Sequence, residues 1–144
     1  MSSIDQSWIA WAGLAAVFAA LTAIFAKVGV ADIGADYATF LRTLVVVVVL
    51  AAILFATGQF EPLSTVSRRS ALFLVLSGLA TGASWFCYFR ALKLGQASQV
   101  APVDKLSVVL VAVFGVLFLG EQLSGTSWAG VALIALGAIL VAIG

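Results

Sequence analysis

Five long apolar runs with only short connectors between them constrain this chain more than any motif in it. They are Trp8 to Val28, Ala38 to Thr57, Ala71 to Leu92, Gln99 to Leu119 and Thr126 to Ile143. A bilayer core of about 30 Å needs roughly 20 apolar residues at 1.5 Å rise each, so every run is long enough, or nearly so, to cross as a helix. The connectors, "GVADIGADY", "GQFEPLSTVSRR", "KLGQAS" and "GEQLSG", leave no room for a water-soluble domain, and residues 1–144 read as one five-helix unit. The run Val45 to Val49 would pass for a buried strand in water, but in hydrocarbon an open strand leaves backbone groups unpaired, so helix is expected. The fold class is all-α and integral to the membrane.

Composition closes off other classes. Only 9% of residues are charged against 64% hydrophobic, well short of the quarter that covers a soluble globule. A net charge of +1 supplies neither a basic stripe for nucleic acid nor an acidic tail. With one cysteine and no histidine there is no disulfide framework, no metal-ligand set and no Cys/His nucleophile pair, and no cofactor is implied. Cys87 reads as a small buried hydrophobe. Asp32 and Asp36 read as loop acids beside Gly29 and Gly34, so no paired carboxylates stand in register and no enzyme is expected.

Five crossings put the termini on opposite faces. The N-terminal face receives Asp5, Glu61, Arg68, Arg69 and Glu121; the other receives Lys27, Asp32, Asp36, Arg42, Arg90, Lys93, Asp104 and Lys105. Arg68 and Arg69 are the plainest loop cations and argue for an N-terminus inside, yet the cations opposite outnumber them. So weak a bias suits a chain inserted in both orientations.

Polar residues within the spans nominate a site. On the third span Ser77, Thr81, Ser84 and Tyr88 recur at spacings of three and four, a hydroxyl stripe that serves either helix packing or a pocket wall. Trp8, Trp11 and Trp128 fit an interfacial belt, whereas Trp85 sits too deep for one and is either packing or pocket lining. Gly78 with Gly82, and Gly130 with Gly137, are candidate close-packing positions. Lys27 shares a helix face with Ala16, Ala20 and Ala23; it and Arg90 either snorkel to the interface or point inward.

Asp104 carries two readings. If Pro102 opens the fourth helix, Asp104 is its third residue and caps free amides, worth about 0.3–1 kcal/mol. If the helix opens at Ala97, Asp104 lies two turns deep, Pro102 is a kink, and the carboxylate costs about 2.5–3.5 kcal/mol to insert unless partners come from elsewhere. Lys105, about 100° around the helix, is not expected to pair with it; Arg42, Arg90 and Lys27 are the candidate partners on that face.

The stretches "VAPVDKLSVVLVAVFGVLFLGE", "LSGTSWAGVALIALGAILVAIG" and "ASWFCYFRALKLGQAS" resemble one EamA domain of the drug/metabolite transporter superfamily, over nearly the whole chain. "LFLGE" ahead of a glycine-bearing last helix is the most specific part; "DKLS" stands where many members carry an apolar stretch ending in proline. The resemblance implies half of a ten-helix inverted-repeat fold in a bacterial cytoplasmic (inner) membrane, exporting amino acids, metabolites or toxic cations. Because alternating access needs two halves related by an axis in the membrane, one five-helix chain would have to form an antiparallel homodimer. The expected function is therefore secondary transport, as an exporter, of a small polar or charged metabolite, with a proton as candidate coupling ion. Its candidate residues are Asp104, Lys105, Lys27, Arg42, Trp85, Tyr88, Ser84, Thr81 and Arg90. A flippase for a lipid-linked substrate and a non-transporting membrane assembly partner are the alternatives.

Overall fold

The structure is a computed structural model in which residues 7–144 are described, and among these it is all-helical. Asp5 lies outside the described residues. The elements are α1 (Ser7–Gly29), α2 (Ala35–Thr57), a 3-10 turn (Leu63–Thr65), α3 (Arg68–Leu94), α4 (Ala97–Asp104), α5 (Ser107–Leu119) and α6 (Gly125–Ile143). Since α4 and α5 share the fourth span, Ala97–Leu119, five helical segments among the described residues are long and apolar enough to cross a membrane.

Helices run further into polar sequence than hydropathy alone suggests. α2 begins at Ala35 rather than Ala38, and α3 at Arg68 rather than Ala71. The physical reason is that charged residues at a helix end keep backbone hydrogen bonds while their heads reach the interface. Asp36 is thereby moved out of the loop expected for it and into the first turn of α2.

The chain packs as two compact units. One is Val28–Lys93, holding α2 and most of α3. Along the first half of α2 the covered positions are Ala35, Ala38, Thr39, Arg42, Thr43 and Val46, a stripe at helical spacing in which Ala38 is buried. Thr39 and Thr43 donate their hydroxyls to the carbonyls one turn back, of Ala35 and Thr39, both at 2.8 Å, so they sit in this stripe without unmet donors. The matching stripe on α3 is Trp85, Tyr88, Phe89 and Leu92, with Phe89 and Leu92 buried. α2 ends at Gly58, whose left-handed φ of 65° lets its N–H turn back onto Leu54 and Phe55, while the Gln59 N–H reaches Leu54 at 3.1 Å. Cys87 falls beside the α3 stripe and is exposed on an apolar flank, not buried as its residue type suggests.

The other unit joins α1 as far as Lys27 to Leu94–Gly144. Here α6 packs along α4 and, further on, along α5. Its covered stripe is Val131, Ala135 and Ala138, and small residues on the other helices, Ala23, Ala26, Ala112 and Gly115, are likewise buried. α6 is capped by Ser124, which accepts from the Ser127 N–H at 3.1 Å. α5 ends at Gly120, φ 69°, after which the Glu121 N–H returns to the Gly115 carbonyl at 3.1 Å and its carboxylate lies over Gly115. A methyl group at position 115 would sit 2.6 Å from Glu121 Oε2.

Most large apolar side chains in both units face outward, for example Phe55 at 82% and Phe118 at 78% exposure. In water such a surface would aggregate; against hydrocarbon it is the matching solvent.

Candidate functional site

In the Val28–Lys93 unit the functional side chains lie where the N-terminal half of α2 meets the C-terminal half of α3. At the outer end Arg90 grips Asp36 with a two-pronged fork, Nε to Oδ1 at 3.0 Å and Nη2 to Oδ2 at 2.9 Å. The same guanidinium lies 4.1 Å from the centre of the Phe86 ring. Lys93 closes the end by donating to the Ile33 carbonyl. Arg90 therefore has specific partners in its own unit and is not merely extended toward the interface.

Six residues further along α2, about 9 Å of rise, is Arg42. Its guanidinium lies 4.0 Å from the Trp85 ring centre and 5.8 Å from that of Phe89. Stacking on indole, the best aromatic face for a cation, offsets part of the desolvation of a group that stays charged at any accessible pH. Buried Nη1 meets no hydrogen-bond acceptor among the described residues. Tyr88 is half-buried on the same α3 stripe.

In the other unit Lys27 donates to the Gly95 carbonyl at 2.8 Å, tying the end of α1 to the start of the fourth span. That span is interrupted. α4 opens at Ala97 behind Gln96 and closes at Asp104, so Asp104 is the last residue of a short helix and not the third residue of one begun at Pro102. Pro102 has no N–H for the Ser98 carbonyl, and the ladder then tightens: Lys105 bonds back to Pro102, Leu106 to Val103, Val108 to Lys105 and Val109 to Leu106, at 2.9–3.0 Å. At this break the Lys105 ammonium lies 3.2 Å from Asp104 Oδ2. The expectation that these neighbours do not pair is thus corrected. It assumed ideal α-helical geometry, whereas the chain leaves that geometry after Asp104, and a long lysine stem spans the remaining angle.

Of the residues nominated from sequence, Arg42, Trp85, Tyr88 and Arg90 come together at one end of α2 and α3, while Asp104, Lys105 and Lys27 belong to the other unit. Thr81 and Ser84 are exposed on α3. Gly78, Gly82, Gly130 and Gly137 are open: a Cβ on any of them meets no heavy atom within 4 Å among the described residues. Asp36, Phe86 and Phe89 were missed. An acid in the first turn after Gly34 is a helix-start signal that could have found Asp36, and Phe89 lies one turn from Trp85.

Five apolar spans, one broken at a charged pair and others carrying arginines stacked on aromatic rings, define a polytopic membrane protein with polar groups held inside its spans. The chain belongs to the EamA-like transporter family, matched over residues 6–143, and it is a membrane transporter. It is similar to a Sinorhizobium protein described as an uncharacterized transporter in the cobO 3′ region, 63% identical over 140 residues, covering 97% of this chain and 99% of that protein. No solved structure matches it. The family evidence points away from an enzyme.

Proposed function

We propose that the chain is a secondary transporter of a small polar or charged metabolite, an exporter of a bacterial cytoplasmic membrane that works by alternating access as an antiparallel homodimer. The observation that carries this reading is the break in the fourth span at Asp104–Lys105. Discontinuous helices are how transporters bring backbone dipoles and charges to a site within the membrane, and Pro-interrupted apolar segments are their sequence mark. A continuous helix would serve an anchor equally well. A charged pair at a fracture suits a group that changes partners during a cycle, and Asp104, able to discharge by taking up a proton, is the candidate coupling residue.

Geometry and charge support the dimer. Five helices make one repeat, and a second copy mounted upside down supplies the other. The conflict between Arg68 and Arg69 in a connector on one face and the more numerous cations on the other, several of them within spans, permits both insertions. The open glycine faces at Gly78 with Gly82 and Gly130 with Gly137 offer close approach to a second copy.

The test is uptake by proteoliposomes under an imposed pH gradient. Asp104→Asn is expected to abolish gradient-driven uptake while dimer size in detergent stays unchanged; undiminished uptake removes the coupling role.

A further inference from the structure

The arrangement around Arg42 goes beyond the statement that the substrate is polar or charged. Three observations bear on it. The guanidinium carbon sits over the Trp85 ring, 4.0 Å from its centre, with the Phe89 ring centre at 5.8 Å, so two aromatic rings hold the group in place. The Nη1 atom is buried and has no acceptor among the described residues. Thr39 and Thr43, on the same stripe as Arg42, spend their hydroxyl protons on the Ala35 and Thr39 carbonyls and are acceptors at most toward Arg42, which bonds to neither.

The acids of this unit are already placed elsewhere. Asp36 is held at both oxygens by Arg90, Asp32 is exposed between α1 and α2, and Glu61 accepts from the Thr65 hydroxyl at 3.4 Å beyond the far end of α2. A buried guanidinium N–H without an acceptor costs more than a neutral donor would, and a planar fork is matched best by a carboxylate or phosphate. An aromatic shelf that seats the cation while leaving one nitrogen unmet suits an oxyanion, because a ring attracts the charge but offers no acceptor to its N–H groups.

We infer that Arg42, oriented by Trp85, is the group that binds the acidic end of the transported molecule, and that the substrate carries a carboxylate or phosphate. This rests on the transport reading above and narrows its substrate to anions and zwitterions. Trp85 is a positioning residue here, and Arg42 makes the contact.

The test uses full-length protein in nanodiscs with W8F, W11F and W128F, so that all indole emission comes from Trp85. Acetate, lactate, succinate and inorganic phosphate are titrated, with tetraethylammonium chloride as the cationic control. At least one oxyanion is expected to change the emission saturably, and which one responds separates carboxylate from phosphate. Arg42→Gln should abolish the response. Arg42→Lys, which keeps the charge without the fork, should weaken it about tenfold or more; if R42Q does not fold, R42K alone decides. A response to tetraethylammonium only, no response to any probe, or oxyanion binding undiminished by R42K overturns the inference. The first of these leaves the carrier reading standing. Conversely, proteoliposomes of a chain that binds the oxyanion but passes none of it remove the carrier reading and keep the Arg42 assignment.

Discussion

Arg90 and Arg42 stand on facing helices of one unit and stack on aromatic rings at nearly the same distance, 4.1 Å on Phe86 and 4.0 Å on Trp85. They differ in what meets the edge of the ion. Arg90 closes both prongs on Asp36, so its charge is neutralised and its geometry finished; buried Nη1 of Arg42 has no acceptor among the described residues. Aromatic stacking alone therefore says nothing about function. A cation with a complete set of partners fastens two helices, whereas one seated over a ring and left incomplete can exchange a ligand.

The contrast can be broken from either side. Providing Arg42 with its own carboxylate one turn along the covered α2 stripe, by Val46→Glu, should turn it into a second Arg90. Oxyanion binding read from Trp85 emission should then fall about tenfold or more, with Val46→Gln as the uncharged control. Removing the carboxylate from Arg90 is the reverse change. Asp36→Asn should loosen the ends of α2 and α3, lowering the thermal midpoint by about 2–4 °C in a scattering or dye assay, and the charge swap D36R with R90D should restore much of it. The mildest change tests the shelf. Trp85→Phe keeps an aromatic face with a weaker quadrupole and should lower oxyanion affinity only a few-fold by calorimetry, in line with a cation–π difference of about 0.5–1 kcal/mol. A loss as large as that of R42K would make Trp85 more than a support.

The helices were legible in the sequence because apolar length is a property of composition, and the bilayer leaves helix as the only way for such runs to pair their backbones. Their ends were legible where glycine enforces a left-handed turn, as at Gly58 and Gly120, and to within a residue at both ends of α1 and α6. The polar ends of α2 and α3 were not, since Asp36 and Arg68 look like loop residues until their heads are given water to reach. Trp85 could be singled out by depth, and Arg42 by its charge within a span. What could not be read was their contact, which depends on the rotational setting of α2 against α3. Asp104 shows the opposite failure. Its neighbour was dismissed on ideal helical angles that Pro102 removes.

The Glu121 carboxylate occupies the volume that a side chain on Gly115 would need. The two positions thus share one seat, six residues apart and on either side of a glycine hinge. Enlarging residue 115 must displace that carboxylate from its seat, so the size of a residue within an apolar span dictates where a loop carries its negative charge.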